Sequence, residues 1–476
     1  MKTIKTTILL FATTLFIIGC SSDDNNNSGN PPDDTTNELI EALIADVTGG
    51  GETIWKIDTA ILTNSNVTDL DVSDAFNITD DEFIFKTGTN TIFLEYKQGN
   101  SFNEDATENS DFLLDYYRSA ENSSLSITDI ETKTFADSNK SFTYNSDTNM
   151  TAELAIEGAT LSIEMSPKTN ADFASPPSGG LTFTEAFTFE SNAVFCCSPG
   201  MIGSYSDNSF FIVTREDGLN EGNGSPERII KFNLNDNTSE EKLFFQTDFV
   251  SKQLHIQNNK LIALGGQNVN TYNLDLSGEP TSISHGKTLT RHGVSVQDDD
   301  MYIVGGDLNN NESNKIFKWN IITETITEVA TLPEPRVGAR ATIVDSKLYI
   351  AGGSEEFLSN PAKNTLYAYD IENDSFETYM IPQELNYTFV DRYENLVYVA
   401  GRIDSEDGTN RDLLLGVFNT TDNTFQEITT NLDDSDEFST IHGMCIFNNK
   451  IYVIYGASGI DNGGQFPEWS IMAADL

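Results

Sequence analysis

Short apolar runs alternate with polar, turn-forming clusters along most of the chain. Period-two runs bounded by Gly, Asn and Asp predict strands rather than helices. In the first part these runs are Thr53–Leu62, Glu82–Lys86, Thr91–Tyr96, Phe112–Tyr117, Leu125–Thr134, Ser141–Tyr144, Met150–Ile156 and Ala159–Met165. A meander of about eight strands is enough to close a small barrel; a β-sandwich is the alternative. One segment differs: Leu39, Ile40, Leu43 and Ile44 follow helical spacing, Thr36 or Asn37 can cap the start, and Gly49–Gly51 stops it. Pro176–Gly180 reads as a linker.

Beyond the linker the pattern repeats. A short apolar strand ending in two glycines recurs at Leu261–Gly266, Met301–Gly306 and Leu348–Gly353. Eroded copies stand at Phe210–Thr214, Val397–Gly401 and Ile451–Gly456. All but the last are followed by an aromatic-Asn/Asp pair before a turn: Phe232-Asn233, Tyr272-Asn273, Trp319-Asn320, Tyr369-Asp370 and Phe418-Asn419. Their spacings are 40, 47, 50 and 49 residues. These units resemble the kelch repeat, which implies propeller blades of four strands, a to d from the axis outward. The glycine pair ends strand b where backbones crowd and a Cβ would obstruct the bend.

The last repeat stops at Ala474-Asp475, where its strand c ends, so its strand d is missing. An unpaired edge there would be sticky. Leu181–Glu190 alternates at period two ahead of the first repeat and is the natural donor. Six blades are therefore expected, closed by three carboxy-terminal strands and one amino-terminal strand.

These repeats resemble the kelch family, although the family's Trp on the last strand is mostly absent. The segment Thr48–Lys56, followed by Asp81–Phe85, resembles the start of lipocalin-like domains in Bacteroidetes lipoproteins. The expected class is all-β: a six-bladed kelch-like β-propeller at 181–476, preceded by a small lipocalin-like β-barrel at 37–173.

The amino terminus reads as an address. Lys2 and Lys5 precede the apolar run Ile8–Ile18, and then come Gly19-Cys20 and Ser21–Asp24. This is similar to a bacterial lipoprotein signal peptide (1–19), which implies lipidation at Cys20, a flexible tether over 20–36 and a lipid-anchored place at the outer membrane, exposed at the cell surface. The lipid on Cys20 is the expected membrane contact. Export permits a disulfide from Cys445 to Cys196 or Cys197; three buried free thiols are the alternative.

Charge narrows the chemistry. The 476 residues carry 74 acidic and 27 basic side chains, a net charge of −47, which excludes a nucleic-acid binder. A hydrophobic share of 38% suffices for a sizeable core. No GxSxG, HExxH or phosphate-cradling loop is present, and no metal or cofactor is expected. Blade alignment instead gathers Arg291, His292, Arg336, Arg340 and His442 near the channel mouth, a set suited to a carboxylate or anionic sugar. Satisfaction of loop carbonyls is the competing account of the same residues. The expected function is surface binding of a glycan or an envelope protein by the b–c and d–a loop face. The kelch resemblance supplies the rival, a sugar epimerase like the sialic-acid mutarotase, with Arg291, Arg340, His292 and His442 as its groups. A copper radical oxidase, a further propeller relative, is excluded by a count of only four His.

Overall fold

A computed structural model describes residues 35–64, 67–73, 78–97, 110–156, 158–190, 200–204, 208–215, 227–244, 253–257, 260–297, 299–309, 311–356, 362–404, 411–432, 441–458 and 468–476. Cys20, Cys196 and Cys197 fall outside these, as do most residues of the long loops joining repeat strands b and c.

After the helix Thr35–Thr48, the first part winds into an eight-strand barrel with one extra strand, Val67–Asp71, on its edge. Closure joins Glu52–Asn64 to Ala159–Pro167, in register from Trp55↔Pro167 to Asn64↔Ala159 with one bulge near Asp58. Alternation sets the inside: Phe83, Phe85, Phe135, Phe142, Leu154, Leu161 and Met165 are all completely buried. Phe85 meets Phe142 edge-on at 5.1 Å, and Phe135 stacks on Phe142 at 5.6 Å. The barrel interior is therefore filled by side chains.

The expected strand Phe112–Tyr117 is instead part of a helix, Ser110–Ala120. Phe112, Leu113, Tyr116, Tyr117 and Ala120 recur at helical spacing, with Asp115 and Arg118 between them. Tyr116 and Ala120 are buried. The predicted run Leu125–Thr134 also divides, into Ser123–Asp129 and Thr134–Ala136.

The rest of the chain forms propeller-like sheets. Gly200–Ser204, Ser209–Arg215, Glu227–Asn233 and Thr238–Phe244 make one antiparallel sheet of four. Gly293–Gln297, Asp300–Val304, Lys315–Asn320 and Thr325–Thr331 make another. A seven-stranded run from Arg340–Val344 to Thr424–Glu427 passes through the long strand Ser375–Tyr393. The last four-stranded sheet contains Ile441–Phe447, Lys450–Ser458 and Glu468–Asp475, with Thr184–Glu190 on its outer edge. That edge pairs from Thr184↔Ala473 to Glu190↔Glu468. Residues 181–183 are held by the preceding sheet: Leu181 N donates to Thr429 O (2.8 Å) and Phe183 N to Asn431 Oδ1 (2.7 Å).

The repeat with the 40-residue spacing is irregular. Its strands b and c are one continuous strand, Lys260–Asn273, without a hairpin between them. Only Gln267 separates Gly266 from the pairing that starts at Asn268↔Ser284, too little chain to reverse direction. The sheet is completed by Thr281–Thr290 and by a small hairpin, Asp307–Leu308 with Asn311–Glu312, from the following repeat.

Hydrophobic clusters lie between sheets rather than within them. Phe211, Val213 and Ile229 meet Leu261, Ala263 and Tyr272 of the next sheet. Tyr349, Ala351 and Leu366 meet Val397, Val399 and Phe418. Cys445, Tyr452 and Ile454 of the last sheet pack on Phe210, Ile212 and Phe232 of the first. The glycine pairs permit this closeness. Gly352 and Gly353 have φ of +67° and +79°, and a Cβ on Gly352 would overlap the Thr388 side chain.

Candidate functional site

The innermost strands surround a central cavity of about 1220 Å³. Its wall takes Ile202, His255, Ser295, Thr342, Asp391 and Cys445 from successive sheets. These positions are equivalent: His255 pairs with Ile262, Ser295 with Tyr302, Thr342 with Tyr349, Asp391 with Tyr398 and Cys445 with Tyr452. One end of the cavity is formed by the barrel, through Lys56, Asp81, Glu82, Lys97, Lys168 and Asp172. The barrel is tied to the turns of the sheets by Lys97 Nζ to Asp345 Oδ1 (2.6 Å), Lys86 Nζ to Glu372 Oε1 (2.8 Å) and Asn395 Nδ2 to Ala174 O (3.1 Å). Asp345 and Glu372 lie in the a–b and c–d turns, so the barrel occupies that face and leaves the b–c and d–a loops on the other.

The five sequence-derived candidates do not form one constellation. Arg291 sits at a left-handed position (φ +54°) and ion-pairs with Asp307 at 2.5 Å. His292 is buried, and its carbonyl accepts from Arg340 Nη1 at 3.2 Å. Arg336, expected at the mouth, is 1% exposed and spends its guanidinium inside the sheet. It donates to Gly352 O (2.9 Å), Glu334 Oε1 (2.7 Å) and Thr365 Oγ1, and lies 4.7 Å over the Tyr367 ring. Arg336 thus satisfies a backbone carbonyl and a carboxylate within the sheet. His442 is buried edge-on against Trp469 at 4.7 Å. Among the five, Arg340 alone lines the cavity.

Three cavity residues were not anticipated. Burial holds His255 down to a pKa of about 4, so it is neutral near pH 7. Burial lifts Asp391 to about 6, even though it accepts N–H groups from Ile446 (2.7 Å) and Arg392 (2.8 Å). Cys445 is buried and has no disulfide partner among the described residues, its expected partners Cys196 and Cys197 lying outside them; burial first, and then the Asp391 charge, push its pKa well up. Aligning repeats on the second residue of strand b, instead of on the glycines, would have exposed this ring of residues.

Asp300 accepts from Lys318 Nζ (2.8 Å) and Asn320 Nδ2 (2.7 Å).

Comparison with known proteins agrees with the sheet pattern. Residues 286–467 match the KLHDC2/KLHL20/DRC7 Kelch-repeats domain model. This part of the chain is similar to kelch repeats. Similar proteins include the kelch repeat and BTB domain-containing protein 2 of cowpox virus. The Grishak strain protein is 27% identical over 153 residues, 32% of this chain and 26% of its own length. The Brighton Red protein is 26% identical over 145 residues, 30% and 24% of the two chains. The chain thus spans about a quarter of the length of these curated kelch relatives.

Proposed function

We propose that this protein is a lipid-anchored binding protein of the outer cell surface, whose kelch ring presents its b–c and d–a loops to an envelope protein. In this reading Cys20 carries the lipid, residues 20–36 are the tether, 37–173 form a lipocalin-like barrel and 181–476 form a six-bladed ring. The observation that carries the function is the position of the barrel. It occupies the a–b and c–d turn face through Lys97–Asp345 and Lys86–Glu372, which leaves the opposite loop face for a partner. Loops on a rigid frame are where recognition commonly resides, and kelch repeats generally mediate protein–protein binding. The six-blade count is supported by the clusters between neighbouring sheets and by the Thr184–Glu190 edge pairing, with Ser375–Tyr393 serving two blades in succession. A glycan ligand remains the alternative occupant of the loop face. The epimerase reading has weaker support: of Arg291, Arg340, His292 and His442, only Arg340 reaches the cavity.

Site-specific photo-crosslinking in cells tests the face. A crosslinker at Glu312 or Glu355, both exposed on the b–c side, is expected to capture an envelope protein, whereas one at Asn373 on the opposite turns is not. Equal capture from both sides, or none, sinks the assignment. A glycan array probes the alternative ligand. Cys20→Ser is expected to abolish incorporation of an alkyne fatty acid; retained labelling removes the anchor from the reading.

A further inference from the structure

Arg340 departs from the three lysines around the cavity. Lys56 pairs with Asp172 at 2.5 Å, Lys168 with Glu82 at 2.5 Å and Lys97 with Asp345 at 2.6 Å. Arg340 has no carboxylate partner among the described residues. Its Nη1 donates to the carbonyls of His292 and Ala339, both at 3.2 Å. Its guanidinium stands 6.0 Å over the Phe389 ring. Gly293 lets the neighbouring strand approach: a Cβ there would lie 3.0 Å from the Arg340 Cα. The side chain is thus fixed by one nitrogen and one face. The edge carrying Nε and Nη2 is left over, in a chain of net charge −47.

We propose that the cavity enclosed by the ring and the barrel binds a small molecule through a single carboxylate, held by the free edge of Arg340. A guanidinium edge offers two parallel N–H groups, the geometry that matches a carboxylate. Arg392 is a second cation on the wall, but Asp81, Glu82 and Asp391 stand there too, so a monoanion suits the cavity better than a phosphate dianion. Ser295 and Thr342 supply hydroxyl groups to the same wall, and neutral His255 adds a donor or acceptor without charge. The cavity has room for a sugar-sized molecule. Burial lowers the Arg340 pKa to about 10, which still leaves it charged near pH 7. This site is separate from the outer loop face, so its failure leaves the partner-binding reading untouched.

The test is isothermal titration and thermal-shift measurement on the full chain with acetate, benzoate and glucuronate. The matched neutral probes are acetamide, benzamide and glucose, and inorganic phosphate is the anion control. At least one carboxylate is expected to bind ten-fold or more tighter than its neutral counterpart and than phosphate. Arg340→Gln is expected to remove that preference, and Arg340→Lys to keep part of it, with folding of both verified by circular dichroism. Three results would overturn the proposal: no carboxylate preference across the panel, a preference for phosphate, or a preference that survives in folded Arg340→Gln. If Arg340→Gln fails to fold, Arg340→Lys decides alone: undiminished carboxylate affinity counts against the site, and weakened affinity counts for it.

Discussion

The barrel and the ring of propeller-like sheets both close a β structure on itself, but they do so with different material. The barrel closes with its own first and last strands, Glu52–Asn64 and Ala159–Pro167, around one shared aromatic cluster. The ring closes with a strand that precedes its first repeat, Thr184–Glu190, and its hydrophobic cores lie between sheets. Damage in the barrel is therefore shared by every strand. Damage in the ring is confined to two neighbouring sheets unless it strikes the closure.

The strongest way to break this contrast is to delete residues 181–190. The edge of Glu468–Asp475 is then left unpaired, and calorimetry is expected to show loss of the ring transition with aggregation, while a barrel transition survives. Simultaneous loss of both transitions would mean that the two parts fold as one unit. Next in size is Phe142→Ala, which removes a ring packed on Phe83, Phe85 and Phe135. It is expected to destabilise the barrel by about 3–5 kcal/mol in a denaturant titration and to leave the ring transition in place. Gly352→Ala is the smaller local counterpart in the ring. At φ +67°, with Thr388 in the way, it is expected to cost about 1–3 kcal/mol in ring stability only.

The smallest effect concerns pH. Asp391 titrates near 6 in the folded chain against an ordinary value of 3.8, so the folded state binds its proton more tightly. Wild type should therefore gain stability relative to Asp391→Asn as pH falls from about 8 to about 5. Melting curves of both proteins across that range check the sign; a difference that is flat, or that shrinks in wild type's disfavour, contradicts the buried carboxyl.

Legibility in the sequence followed periodicity. The Gly-Gly strands and the aromatic-Asn/Asp pairs recur, and the absent final strand pointed to its donor, because each of these features leaves a mark in composition. Phe112–Tyr117 was misread because six residues do not separate period two from period 3.6; Ala120, one turn further on, does. The 40-residue spacing held the merged strand Lys260–Asn273 in plain view, yet repeat alignment hid it by assuming a hairpin. Site residues were harder to find. Arg336 and Arg340 stand four residues apart in one segment, and nothing local says that the first turns into the sheet and the second into the cavity. His255, Asp391 and Cys445 share a ring only once the strands are paired.

Vectorial emergence makes the closing strand a matter of timing. Thr184–Glu190 leaves the ribosome early, directly behind a barrel that already holds all its strands. Its partner, Glu468–Asp475, arrives only after every intervening sheet. For that interval the nascent ring carries a waiting edge at each end, so anything that escorts the growing chain must shield the segment just past Pro176–Gly180 longest.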